Sequence, residues 1–333
     1  MRRDYRLPRK PALHAPPQHL IVRLRNWIGD VVLGVPALQL LERHGYTLHL
    51  VGRPWAGALL GGHGWDVHVR PSKLGERVRQ LRALKAQCQQ ADPGFARREN
   101  ALSLPHSFSA ALDLRLAGLK AVGYAQEARS FLLARAEPIT YGGHALVSYW
   151  ELACRFLRVS EAPPREIGLK VLPAKQQQAQ ALLEAHGVAP GFVVLCPFAG
   201  GGFEKLDKTW PRFAEFARVA SHELGRPLVI YPGPGEAEAA QRDFADATLL
   251  QGADLGVYAA LLQRAALVVS NDTGPAHIAA AVGTPVLSVL GPTKPEQWAP
   301  WGPEVHIEQR YPQWPAVDTV LEHARRLLQS RAA

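Results

Sequence analysis

The chain has 333 residues, 47% of them apolar and 20% charged, with a formal net charge of +9. That length accommodates two domains with a core each, and the composition is that of a soluble globular protein rather than a fibrous or disordered one. No stretch approaches the roughly eighteen apolar residues of a membrane span, and the Arg- and Pro-rich start lacks the apolar centre of a signal peptide. Cys88, Cys154 and Cys196 suit neither a disulfide framework nor a metal-ligand spacing, so buried thiols and a cytoplasmic location are expected.

The charge is unevenly placed: residues 1–166 carry 24 Lys and Arg against 13 Asp and Glu, whereas residues 167–333 carry 14 against 16. A first half at +11 beside a second at −2 suits an acidic partner, whether nucleic acid, anionic lipid or phosphorylated glycan; a merely well-solvated basic surface gives the same count. Residues 1–18, with Arg2, Arg3, Arg6, Arg9 and Lys10 among prolines, read as a basic arm without a fold of its own.

His19 to Leu24 reads as the first strand and Val31 to Arg43 as an amphipathic helix. Between them, Arg25-Asn-Trp-Ile-Gly-Asp30 offers Gly29 for a tight turn or close approach of a ligand, and Asp30 either as helix cap or as a general base at a sheet edge. Further strands are expected at 47–52, 66–70, 101–104 and 121–124, with a basic helix carrying Lys73, Arg77, Arg79, Arg82 and Lys85 after the second of these. His106 and Ser107 stand at the next strand-to-helix turn, as caps on the same edge as Asp30. Strands alternating with helices imply a parallel sheet covered on both faces.

A Pro- and Gln-rich stretch, 166–190, reads as the link to a second unit, where the alternation restarts at Phe192 to Pro197. The glycine-rich loop with Gly200 and Gly201, followed by Lys205 and Lys208, permits close approach of a phosphate but has no Walker order. Glu236, after the strand 227–231, is a first-turn acid or a ribose ligand. Asn271-Asp-Thr-Gly-Pro-Ala-His277 lies between two apolar runs, 265–270 and 285–290. Asp272 and Thr273 suit a cap and Gly283 a stop; the amides of Gly274, Ala276 and His277 then either close a turn or hold an anion. Residues 315–331 carry one apolar stripe, fit to pack on a domain.

Ile28-Gly-Asp30, Lys208-Thr-Trp-Pro211, Asn271 to His277 and Gly291-Pro-Thr293 together resemble the motifs of the bacterial lipopolysaccharide heptosyltransferases, glycosyltransferase family 9. Asn26 to Asp30 and Leu104 to Leu112 further resemble the branch that adds the second heptose, although His106 stands where that branch commonly has Asn, and Thr273-Gly-Pro where it often has Ser-Gly-Leu.

The resemblance implies an α/β fold of the GT-B type: two Rossmann-like doubly wound parallel-sheet domains facing a cleft, at 19–165 and 191–314, with a C-terminal helix, 315–333, crossing back to the first. It implies an inverting, metal-independent transfer of heptose from ADP-heptose to the anionic inner-core glycolipid, with no cofactor. Asp30 would be the base and Lys208 the ammonium on the diphosphate. Gly200, Gly201, Glu236, Asp272, Thr273, Gly274 and His277 would bind donor; Asn26, Trp27, His106 and Ser107 would bind acceptor. Peripheral contact with the inner membrane is a further expectation.

A related transferase using another nucleotide sugar, a two-domain epimerase, and a non-catalytic binder of nucleotide or another anionic ligand are the rivals. The epimerase requires a paired acid and base that the sequence does not display. Nucleic acid is disfavoured, because residues 70–98 interleave only Phe95 among their basic residues.

Overall fold

A computed structural model describes residues 18–330 except 141, 201, 204, 205 and 292. The expected basic arm therefore lies outside the described residues but for Gln18, as do Gly201 and Lys205.

The first half runs β1 Gln18–Arg23, α1 Ile28–Arg43, β2 Tyr46–Gly52, α2 Ala56–Leu60, β3 Asp66–Val69, α3 Leu74–Ala91, β4 Ala101–Ser103, α4 Phe108–Leu116, β5 Ala121–Tyr124, β6 Arg135–Glu137 and α5 Ala145–Leu157. After α6 Pro173–Ala185 come β7 Val193–Cys196, a hairpin of β8 Gly202–Phe203 and β9 Leu206–Asp207, α7 Phe213–Glu223, β10 Leu228–Ile230, α8 Ala237–Asp243 and β11 Thr248–Leu249. The chain ends with α9 Leu255–Arg264, β12 Leu267–Ser270, α10 Gly274–Ala281, β13 Val286–Leu290, α11 Pro295–Trp298, β14 Val305–Gln309 and α12 Val317–Ser330.

Two six-stranded parallel sheets result, ordered β3-β2-β1-β4-β5-β6 and β11-β10-β7-β12-β13-β14. Each order reverses once, between β1 and β4 and between β7 and β12. Loops leaving these strand pairs diverge to opposite faces and open a crevice at the carboxyl edge. The runs Leu20 to Val22 and Val193 to Cys196 are buried without alternation, as strands covered on both faces must be.

Three expectations need correction. Helix α1 is not amphipathic: it is buried without a break from Asp30 to Leu38, because it lies between its own sheet, α5 and the second half's α10. The described residues of helix α12 dock on the second half instead of crossing back to the first. Its stripe of Val317, Val320, Leu321 and Ala324 joins the second half's core against α7, β12 and β13, and Arg325 pairs with Glu223 of α7. The expected link is only partly a link, since α6 docks on α9 as a layer of the second half.

The halves adhere through α1 against α10 and α2 against α9. One apolar cluster runs from β1 and α1 through α5 into α9 and α10. The Leu169 N–H donates to Ala281 O at 2.9 Å, so the chain passing between the halves is itself tied to the second.

Candidate active site

Asp30 sits in the first turn of α1, while the cap position belongs to Trp27, whose extended backbone makes no side-chain cap bond. The carboxylate is therefore not spent on the helix end. Its Oδ1 accepts from the Tyr149 hydroxyl at 2.6 Å and lies 3.5 Å from Arg25 Nε. The same guanidinium stands 6.0 Å from the centre of the Tyr149 ring, and Asp30 is only 8% exposed. Burial, reinforced by the Asp30 charge, holds the Tyr149 phenol well above its ordinary value, so it remains a donor at any working pH. No described residue donates a hydrogen bond to Oδ2.

In the second half, Asn271 is wholly buried and ties two loops together. Its Oδ1 accepts from the Trp210 N–H at 2.9 Å, and its Nδ2 donates to Pro197 O at 2.6 Å. The Trp210 indole N–H donates in turn to Pro315 O at 3.1 Å. This anchoring carries Lys208 onto the turn after β12, where Nζ meets Asp272 Oδ2 at 2.6 Å. Asp272 therefore does not cap α10 as expected, and Thr273, at the cap position, makes no side-chain cap bond. Of the amides expected to be free, that of Ala276 is used on Thr273 O at 3.1 Å. Thr273 and Gly274 remain partly exposed at the helix start.

These two constellations abut. A Cβ on Gly29 would lie 2.8 Å from His277 Cδ2, and one on Gly274 would lie 3.0 Å from Ile28 Cβ. Gly29 thus serves no turn: it lies inside α1 and lets the His277 ring pass. His277 is buried between the helix starts. Burial lowers its pKa, while Asp272 and Asp30 both act to raise it, so this imidazole senses the carboxylates of both halves.

Gly29→Ala is expected to destabilise the fold by about 1–3 kcal/mol through overpacking. A smaller residue at 277, in Gly29→Ala/His277→Ala, should recover part of that loss relative to His277→Ala alone. Urea denaturation of the four species reads the coupling, and strict additivity would contradict the contact.

Asn26, Trp27, His106 and Ser107, expected together, do line one cavity of about 340 Å³, with Arg25, Pro105, Gln126 and Glu127. Arg23 Nη2 donates to Asn26 Oδ1 at 3.0 Å, which aims the amide. Arg129 is fully buried beneath the wall: Nε donates to Tyr124 O at 2.9 Å, and Nη1 donates to Pro105 O at 2.5 Å and Ser107 O at 3.3 Å. Ser107 holds the cap position of α4 but makes no cap bond. The Phe108 N–H donates instead to Glu127 Oε2 at 2.9 Å, so a carboxylate from another loop caps this helix.

His106 meets Tyr124 edge-on at 5.6 Å and is pushed down to about 4 by burial, with Arg25 and Arg129 adding to the effect. His63, pushed down to about 4 by burial and then by Lys170, accepts the Lys170 N–H at Nε2, 3.1 Å away. Unfolded, both would titrate near their ordinary value of 6.5. The unfolded chain then binds more protons between pH 6.5 and 4, so this stabilisation is complete above 6.5 and is lost as pH falls towards 4. Chemical denaturation from pH 7 to 4 should show that decline, and His106→Asn should remove about one proton from the slope. An unchanged slope would contradict the neutral, buried His106.

On the donor side Gly200 is exposed, and Glu236 closes its own turn by accepting the Gly233 N–H at 2.7 Å through Oε2. The profile of glycosyltransferase family 9 (heptosyltransferase) matches residues 97–322, two-thirds of the chain. The chain belongs to glycosyltransferase family 9.

Lipopolysaccharide heptosyltransferase 3 of Escherichia coli is 34% identical over 142 residues, 39% of this chain and 39% of that protein. Lipopolysaccharide heptosyltransferase 1 of Pseudomonas aeruginosa is 30% identical over 186 residues, 54% of this chain and 48% of that protein. The aligned segments thus span less than half the length of these relatives. Escherichia coli ADP-heptose LPS heptosyltransferase II superposes with a TM-score of 0.77 over 95% of this chain and 100% of that one, at 21% identity. That likeness extends the two-sheet architecture over nearly the whole family 9 chain.

Sequence reasoning left Tyr149, Arg25, Arg23, Arg129, Gln126 and Glu127 of this family 9 site unassigned. For Tyr149 a signal was available: Leu146, Tyr149, Trp150 and Ala153 have the spacing of a helix's buried face. What that spacing does not say is that the face covers Asp30.

Proposed function

We propose that this family 9 chain transfers heptose from ADP-heptose to the inner core of lipopolysaccharide with inversion and without a metal, Asp30 acting as base. The reading rests on one juxtaposition: a buried carboxylate with one oxygen held by Tyr149 and Arg25 abuts, through Gly29 and His277, a helix start onto whose Asp272 the loop residue Lys208 is paired. The donor diphosphate lies on the amides of Thr273 and Gly274 and on Lys208. Ammonium and helix start stabilise the charge growing on departing ADP, so the reading requires no cation.

Asp272 aims Lys208 through Oδ2 and offers Oδ1 to a sugar hydroxyl, while Glu236 has Oε1 left for the ribose. Gly200 and Gly201 let the loop approach the nucleotide. The acceptor glycolipid enters the cavity of Asn26, Trp27, His106 and Ser107, and Asp30 Oδ2 takes the proton of the attacking hydroxyl. Attack opposite the leaving group inverts the anomeric carbon. The names of the relatives carry the choice of heptose and lipopolysaccharide, and the positive first half suits a phosphorylated acceptor. No helix among the described residues is long and apolar enough to cross a membrane; the glycolipid draws the chain to the inner face of the inner membrane as a peripheral visitor.

A transfer assay with ADP-heptose and heptose-deficient lipopolysaccharide tests this. Inverted product, ADP release and turnover indifferent to added Mg²⁺ are expected. Transfer from a uridine-linked sugar but not from ADP-heptose would reassign the donor, and binding of both substrates without turnover would overturn the enzymatic reading.

A further inference from the structure

At the end of the first sheet remote from the active site, three adjacent strands bring imidazoles together. His19 lies on β1, His49 on β2, and Asp66 and His68 on β3, with His49 paired in register to Asp66. Cys88, near the end of α3, packs beneath them and is fully buried. None of these groups takes part in the site described above. Their numbers follow no short ligand spacing, because strand pairing rather than chain proximity assembles them.

His19 Nδ1 and His49 Nε2 are 2.8 Å apart. One nitrogen of each and Cys88 Sγ all lie within 4.8 Å of one another. The far nitrogen of His49, Nδ1, is 3.0 Å from Asp66 Oδ2, and His68 Nε2 reaches the same oxygen at 2.8 Å. An imidazole with one nitrogen turned to a thiol and a second imidazole, and the other held by a carboxylate, is in the arrangement that orients metal-bound histidine. Asp92 steadies the start of β1 by accepting the His19 N–H at 3.0 Å. Asp66 and His68 keep a path to solvent, being 48% and 24% exposed.

We propose that His19 Nδ1, His49 Nε2 and Cys88 Sγ bind a borderline-soft divalent cation, Zn²⁺, with a water molecule in the fourth position and Asp66 orienting His49. Two nitrogens and one sulfur at about 2.0–2.1 Å and 2.3 Å are an ordinary zinc set. Tetrahedral ligands at those lengths place the two nitrogens about 3.3 Å apart, so the rings open by about half an ångström on binding. Proton balance is simple. The Cys88 thiol releases one proton to solvent, and the hydrogen between His19 and His49 moves to His19 Nε2, leaving both imidazoles neutral. Metal-free, the same groups form a hydrogen-bonded chain from His19 through His49 to Asp66.

The full chain is titrated with Co²⁺ as a spectroscopic probe and with Zn²⁺ by calorimetry near neutral pH. One equivalent should bind, with visible bands of tetrahedral cobalt and a near-ultraviolet thiolate-to-cobalt band. Cys88→Ser should abolish the thiolate band and weaken binding at least tenfold, whereas Cys154→Ser should leave both unchanged. His49→Ala should also weaken binding. Should that variant fail to fold, Cys88→Ser decides, its fold checked by circular dichroism and by unchanged heptosyl transfer. Absence of saturable binding, a pale octahedral spectrum, or a thiolate band that survives Cys88→Ser would overturn the proposal.

Discussion

Asp30→Asn is expected to lower kcat for heptosyl transfer by about 10²–10⁴-fold, the range attributed to a positioned general base. The substitution is chosen for what it preserves. An amide oxygen at the same place still accepts from the Tyr149 hydroxyl, now 2.6 Å from Oδ1, so α1 and α5 keep their contact and the fold should be intact. What disappears is the capacity to take a proton. On the proposed reading, in which Asp30 faces the acceptor, KM for ADP-heptose should barely move. Near wild-type turnover in a folded Asp30→Asn enzyme would remove Asp30 from the chemistry.

Lys208→Ala should cost about 10²–10³-fold in kcat, the loss of one preorganised donor to developing negative charge. It also leaves Asp272, 6% exposed, without its ammonium 2.6 Å away, a buried charge that costs stability in its own right. The two effects separate in Lys208→Met/Asp272→Asn, where removing the orphaned charge should restore much of the denaturation midpoint but none of the rate. If rate returned with stability, Lys208 would be a structural partner of Asp272 rather than a ligand of the diphosphate. Turnover that fell only a few-fold in Lys208→Ala would likewise remove the lysine from the diphosphate.

Most strands were legible because each is a short apolar run between turn residues, and such a run needs only its chain neighbours to be recognised. Strands β1, β2, β5, β7, β12 and β13 fall where Leu20 to Val22, Leu48 to Val51 and Val286 to Leu290, among others, place them. The exceptions have a reason in the sheet. Strand β6 is Arg-Ala-Glu and β14 is Val-His-Ile-Glu-Gln, both at edges and only partly buried, so neither carries a continuous apolar signal. The grouping of Asn26, Trp27, His106 and Ser107 was legible as well, since each pair follows a strand at the same sheet edge, and the pairing of β1 with β4 then brings them to one cavity.

By itself, the sequence determined the alternation of elements and the residue types that follow each strand, because those depend on periodicity and on position after a strand. Only the tertiary structure decided which groups touch. Tyr149 stands 119 residues from Asp30 and Asp272 stands 64 from Lys208. The missing side chain of Gly29 has meaning only beside His277. The docking of α12 on its own half, and the meeting of His19 and His49 with Cys88, depend likewise on which surfaces pack. Contact energy belongs to pairs that strand order and helix packing bring together, and no local pattern records the identity of the partner.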